Sequence, residues 1–232
     1  MERLLNTPVV RVVDLWKEYR ENGQAVTQAL RGANLEVAPG EVVALFGKSG
    51  SGKTTLLNLL AGLDRPTRGT VEINGRSLAE LGEAGRTELR RSRLGFIFQF
   101  FNLLPTLTAY ENVFLALELA GRIQPQAARD ALERVGLKGK EHRYPHELSG
   151  GEQQRVAVAR AIVKEPSLIL ADEPTGNLDT ATGDQILQLI TERCRQGGTS
   201  LLMVTHTPLA CRYADRILKM VDGVVTEDEK CS

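Results

Sequence analysis

The sequence is short of the features that mark secreted, membrane-spanning and nucleic-acid-binding chains, and each shortage removes a class of function. Its three cysteines, Cys194, Cys211 and Cys231, form no CxxC pair and have no histidine at metal-ligand spacing. They read as reduced thiols of a cytosolic protein rather than as a disulfide scaffold. Aromatics are scarce, with six Phe, four Tyr and one Trp, so Leu, Val, Ile and Ala are expected to build the core. Neither sign of charge is in excess: 29 Lys and Arg balance 29 Asp and Glu, whereas a dedicated nucleic-acid binder carries a basic surplus. No run approaches the ~20 apolar residues that span a bilayer; Val42 to Phe46 and Leu56 to Leu63 come nearest, the second broken by Asn58. The opening MERLLNTPVVRVVDLW lacks a continuous apolar segment and is not expected to act as a secretory signal. Work at a membrane would need another chain to supply the membrane part.

What is present is an ordinary globular balance, 42% hydrophobic and 25% charged residues over 232 positions, enough for one large domain or one with an inserted lobe. No internal repeat or low-complexity linker divides it. Strands are expected at Val9 to Leu15, Ala33 to Val37 and the buried run Val42 to Phe46, followed by a helix from Lys53 to Ala61. Thr70 to Ile73 before Asn74-Gly75 predicts a hairpin, and Phe96 to Phe98 a further strand. From Thr108 to Lys164 the pattern is helical, with Thr108 and Glu111 spaced as a capping box and Gly121 as a stop. Strands at Ser167 to Ala171 and Ser200 to Thr205 flank a helix from Thr180 to Gln196. This alternation implies an α/β parallel sheet interrupted by a helical lobe.

The segment Gly47-Lys48-Ser49-Gly50-Ser51-Gly52-Lys53-Thr54 is a complete GxxxxGK[ST] between a buried strand and a helix, the context a phosphate-binding loop requires. Average glycine usage of ~7% puts a chance match at roughly 1% for a chain of this length. Its amides and the positive helix end form an anion nest, Lys53 would reach the β- and γ-phosphates, and the Thr54 hydroxyl would ligate Mg²⁺. Further on, Leu168-Ile169-Leu170-Ala171 ends in Asp172-Glu173. Side chains alternate along a strand, so the two acids can hold different roles: Asp172 toward Mg²⁺, Glu173 polarising the attacking water. A third segment, Leu148-Ser149-Gly150-Gly151-Glu152-Gln153-Gln154-Arg155, sets Ser149 to cap a second helix with an anion-binding end.

With LSGGEQQR between GKSGSGKTT and LILADEP, the chain resembles the ATP-binding-cassette (ABC) ATPases, and the resemblance runs along essentially its whole length. It implies a P-loop NTPase parallel-sheet core at about 1–95 and 165–232, with an antiparallel β part near the N-terminus and a helical subdomain inserted at about 96–164. It also implies that two chains sandwich two ATP molecules, so that Ser149, Gly150 and Gly151 contact the γ-phosphate held by the partner's loop. Thr55 would join the P-loop contacts. Gln99 matches the glutamine that senses Mg²⁺ and γ-phosphate, Asp179 in Asn177-Leu178-Asp179 the residue crossing the dimer interface, and His206 the switch histidine. Tyr19 in Trp16-Lys17-Glu18-Tyr19 matches the aromatic that stacks on adenine, with Trp16 a nearby competitor. Thr207 departs from the family, where Asp commonly follows the histidine. FQFFNLLPTLTAYENV together with ADEPTGNLDT is most similar to the lipoprotein-release and macrolide-export branch. The expectation is an ATP hydrolase at the cytoplasmic face of the inner membrane, a homodimer on ATP binding, driving an integral membrane permease. The alternatives are a regulator of a cell-wall or division complex, and a soluble DNA-repair ATPase, against which the absence of heptads and CxxC pairs argues.

Other groups point less far. His142 and His146 have i, i+4 spacing, but Pro145 disfavours a helix through both. Arg86, Arg90, Arg91 and Arg93 read as a solvated helix face. Phe100, Phe101, Leu103 and Leu104 follow Gln99, either as core or as part of the surface that receives a membrane subunit.

Overall fold

In the computed structural model, which describes residues 7–21 and 24–227, two long strands open the chain, β1 (Val10–Glu21) and β2 (Gln24–Val37). The buried strand β3 (Val42–Phe46), helix α1 (Lys53–Leu60), the hairpin β4 (Arg68–Ile73) and β5 (Arg76–Ser77), helix α2 (Glu83–Ser92) and strand β6 (Leu94–Phe98) follow. Three helices come next, α3 (Ala109–Leu119), α4 (Pro125–Arg134) and α5 (Gly150–Ile162). The chain then returns to strand β7 (Leu168–Asp172), helix α6 (Thr180–Gly197) and strands β8 (Ser200–Thr205), β9 (Arg216–Val221) and β10 (Val224–Glu227).

One sheet is six-stranded in the order β10-β9-β3-β8-β7-β6, parallel except for the edge strand β10. Its central strands are apolar on both faces, as a covered parallel sheet requires. Val43, Leu45, Leu168, Leu170, Leu202 and Val204 face one core together with α1 and the second sheet. Val42, Ala44, Ile169, Ala171, Leu201 and Met203 face the other, under α5 and α6. The second sheet is antiparallel, β2-β1-β4-β5. Asn74 at φ 50° and Gly75 at φ 71° close the β4–β5 hairpin as the Asn-Gly pair predicts. Helices α3, α4 and α5 pack on one another, α3 being started by the Thr108–Glu111 capping box.

Several expectations change. Strand β6 starts at Leu94, two residues before the expected strand Phe96 to Phe98. Arg86 is not on a solvated face: it is buried, with its guanidinium on Glu83 at 2.9 Å. Its burial follows from α2 packing down beside Gly62, where the Arg86 stem lies. Cys194 is free and buried, which pushes its thiol up to about 12. Cys231 lies outside the described residues. His146 sits in a short 3₁₀ turn stacked on Tyr144, and among the described residues no three or more His, Cys, Asp or Glu are grouped to hold a metal.

Candidate functional site

Parallel strands aim their carboxyl ends the same way, and ligands bind where those ends meet loops. Four adjacent strands contribute here. Gly47 follows β3, His206 follows β8, Asp172 ends β7 and Gln99 follows β6.

The loop from Gly47 through Ser49, Gly50 and Ser51 to Gly52 turns the chain into α1. Gly52, its N-cap, has φ 106°, and a Cβ there would lie 2.4 Å from the Ala29 carbonyl, so only glycine fits. No side chain caps α1 and its first turn carries no acid, which leaves the amide end of the helix open to an anion. Lys53 is 9% exposed and donates to the carbonyls of Gly47 at 2.7 Å and Lys48 at 3.1 Å. Two of its three N–H donors hold the ammonium against the loop, facing the cleft.

Thr54 donates from its hydroxyl to Asp172 at 3.4 Å. Burial, then the neighbouring Glu173 charge, hold the Asp172 carboxyl above its ordinary range, against the lowering effect of Thr54 and Lys53. An exposed hydroxyl beside a partly buried carboxylate, with a second carboxylate next to it, offers the hard oxygen donors that Mg²⁺ prefers, so these residues fit that ion. Glu173 has φ 47°, donates its backbone N–H to Val204, and accepts from the His206 backbone N–H at 3.3 Å on the oxygen that lies 2.9 Å from His206 Nδ1. The Gln99 side chain donates to Asn177 Oδ1 at 3.3 Å, and Asn177 returns a bond to the Gln99 carbonyl at 3.0 Å. A Cβ on Gly176 would lie 2.7 Å from the Gln99 amide, so glycine is what lets these two loops touch.

The structure therefore brings Lys53, Thr54, Thr55, Gln99, Asp172, Glu173 and His206 around a cleft of about 750 Å³. Thr27, Gln28 and Ala29 of β2 also line it, which no local signal in the sequence indicates. Tyr19 is not in that lining. Its hydroxyl donates to Asp64 at 2.9 Å and lies beside the Thr55 hydroxyl, and the Lys17 ammonium sits 4.7 Å from its ring centroid. Trp16 is engaged elsewhere, donating to Asp14 under the Arg68 guanidinium.

Ser149, Gly150 and Gly151 also lie outside the cleft. Ser149 caps α5 in a full capping box with Glu152, and the Glu152 carboxylate is held low by Lys140 and by the Ser149 N–H. Asp179 caps α6, accepting from the amides of Ala181 at 3.1 Å and Thr182 at 3.0 Å. The Thr182 hydroxyl, then these amides, hold its carboxyl below the usual range. Two long-range contacts of α5 escaped the sequence reading. Gln154 donates to the Pro174 carbonyl, and Arg160 donates to the carbonyls of Phe101 and Asn102, both at positive φ.

The fold and this site define a P-loop ATPase whose phosphate loop and acidic strand end share one chain. The chain belongs to the ABC transporter family, whose description matches residues 30–176, and it is an ATP-hydrolysing, ATP-binding subunit of that family. It is 49% identical over 219 residues to the uncharacterized ABC transporter ATP-binding protein Rv0986 of Mycobacterium tuberculosis, covering 93% of this chain and 88% of the relative. To the lipoprotein-releasing system ATP-binding protein LolD of Geobacter metallireducens it is 46% identical over 223 residues, covering 95% and 99%. A dimeric ATP-binding cassette, MJ0796, solved in a post-hydrolysis state with ADP and Pi, superposes with a TM-score of 0.87 at 39% identity, covering 96% of this chain and 99% of that one.

Proposed function

We propose that two copies of this chain close around two ATP molecules and use their hydrolysis to drive an integral membrane permease of the lipoprotein-release or macrolide-export type, at the cytoplasmic face of the membrane. One observation carries the reading: Lys53, Asp172, Glu173 and His206 share a cleft, whereas Ser149, which caps the start of α5, lies outside it. A second copy supplies that end, with Ser149, Gly150 and Gly151 on the γ-phosphate and Asp179 at the interface. Among the described residues no helix is long and apolar enough to cross a membrane, in keeping with a separate permease.

Within one site, the amides from Gly47 to Thr55 and the Lys53 ammonium bind the phosphates, and Tyr19 stacks on adenine. Thr54, Asp172 and Gln99 would hold Mg²⁺, which when bound neutralises phosphate charge as it develops. Glu173 orients and polarises the attacking water, and His206 fixes the Glu173 carboxylate through its Nδ1. Gln99 links this machinery to the helical lobe, which we place at about residues 96–164 between the two parts of the core. Beside it, Phe96 and Phe98 stack at a ring-centroid distance of 5.9 Å on the floor of a groove between α2 and α3, where the permease would dock.

Sedimentation of the Glu173→Gln protein with and without ATP and Mg²⁺ tests the sandwich. A dimer that forms only with nucleotide is expected. A monomer at saturating ATP overturns the reading.

A further inference from the structure

The second glutamine of the LSGGEQQR segment is spent on the catalytic loop of its own chain. Gln154 is fully buried on α5, its Nε2 donates to the Pro174 carbonyl at 2.5 Å, and its Oε1 has no hydrogen-bond partner among the described residues. The Pro174 carbonyl accepts no backbone hydrogen bond among the described residues, so this amide is what satisfies it. Keeping a buried, unpaired oxygen for the sake of one bond is costly, and points to a need for that bond.

Pro174 follows Glu173, whose positive φ is a conformation that persists only where the surroundings hold it from several sides. From the β8 side, Val204 accepts the Glu173 N–H at 2.9 Å and His206 donates to the carboxylate. From the opposite side, the contact is Gln154. The same helix carries Ser149 at its N-cap, five residues earlier and about 7–8 Å along the axis. Six residues beyond Gln154, Arg160 grips the two carbonyls that follow Gln99 and Phe100. One rigid helix therefore joins the end facing a second copy, the peptide after Glu173 and the loop after Gln99.

We infer that Gln154 is a positioning residue: it aims Glu173 according to how α5 is seated, so that the state of Ser149 is felt by the hydrolytic carboxylate of the same chain. The inference rests on the reading of Glu173 as the water-polarising group. It adds a physical link between the two nucleotide sites of a dimer, since Ser149 faces one and Glu173 serves the other.

Single-turnover hydrolysis, ATP affinity and thermal melting of Gln154→Met, Gln154→Glu and Glu173→Gln test it together. Methionine keeps the length and removes the donor. It is expected to slow turnover by about 10- to 100-fold, the scale of a small misplacement of a reacting group, while ATP affinity stays that of the wild type. A buried glutamic acid has its pKa raised, and only its neutral form can donate to Pro174. Gln154→Glu is therefore expected to lose activity relative to the wild type as pH rises. Wild-type turnover by Gln154→Met beside an inactive Glu173→Gln overturns the inference and leaves the role of Glu173 standing. Wild-type turnover by Glu173→Gln overturns that role itself. If Gln154→Met fails to fold, Gln154→Glu decides: a pH limb in melting with no limb in the turnover of folded protein makes Gln154 merely structural.

Discussion

His206 Nδ1 lies 2.9 Å from Glu173 Oε2, and the His206 backbone N–H donates to the same oxygen at 3.3 Å. One carboxylate oxygen is thus held twice by the end of β8, which leaves Oε1 for another partner. The imidazole is 70% exposed and the carboxylate 16%, so the histidine stands between solvent and acid. Thr207 donates its N–H to the Thr205 hydroxyl at 3.1 Å, and this local bond shapes the turn that presents His206.

Removing the Glu173 charge while keeping its shape separates chemistry from binding. Glu173→Gln is expected to lower single-turnover hydrolysis by about 10² to 10⁴, the usual contribution of a positioned base, with ATP affinity retained. Rapid-quench hydrolysis and equilibrium nucleotide binding check both halves.

Asp172→Asn is expected to stabilise the nucleotide-free protein at neutral pH and to disable it. The folded-state pKa of Asp172 is raised, mainly by burial. Its contribution to stability is therefore fully present below the unfolded value and lost as pH rises through the folded one. An amide removes that loss. Melting temperature without ligand should rise, while Mg²⁺-dependent ATP binding weakens by more than about 10-fold.

Lys164 is buried, donates to the Arg90 carbonyl at 2.7 Å, and is pushed down by burial to about 8. Between that value and the ordinary lysine range near 10.5 the unfolded chain holds the proton and the folded one does not, so this group makes stability rise with pH there. Denaturant melts of Lys164→Met across pH 7 to about 10 should lack that rise.

The two phenylalanines after Gln99 should behave oppositely. Phe100 is 71% exposed, whereas the Phe101 ring is partly buried against Gly150. Phe100→Ala is expected to change stability by less than about 0.5 kcal/mol and to weaken permease-stimulated turnover. Phe101→Ala is expected to cost about 1–3 kcal/mol, because its ring belongs to the packing between the two loops. Chemical denaturation of each, beside turnover with and without permease, distinguishes them.

Signals confined to neighbouring residues are legible in the sequence. A glycine loop after the apolar run Val42–Phe46, the acids that end Leu168–Asp172, the Asn74-Gly75 turn and the capping boxes at Thr108 and Ser149 each depend on backbone geometry within a few residues. Periodicity could therefore place them on strands and helices. The arginine-rich segment from Arg86 to Arg93 misled the reading, since charge suggests solvent while α2 buries the Arg86 stem beside Gly62.

The sequence by itself determined which residues can hold phosphate and metal, because that chemistry follows from residue type and short spacing. Only the tertiary structure decided which of them meet. Strand order sets the ends of β3, β8, β7 and β6 side by side, so that Gly47, His206, Asp172 and Gln99 converge although up to 159 positions separate them in the chain. The approach of Ala29 to Gly52, the turn of Phe101 toward Gly150 and the reach of Gln154 to Pro174 belong to the same kind. Each depends on two elements packing at one separation, and no local propensity carries that distance.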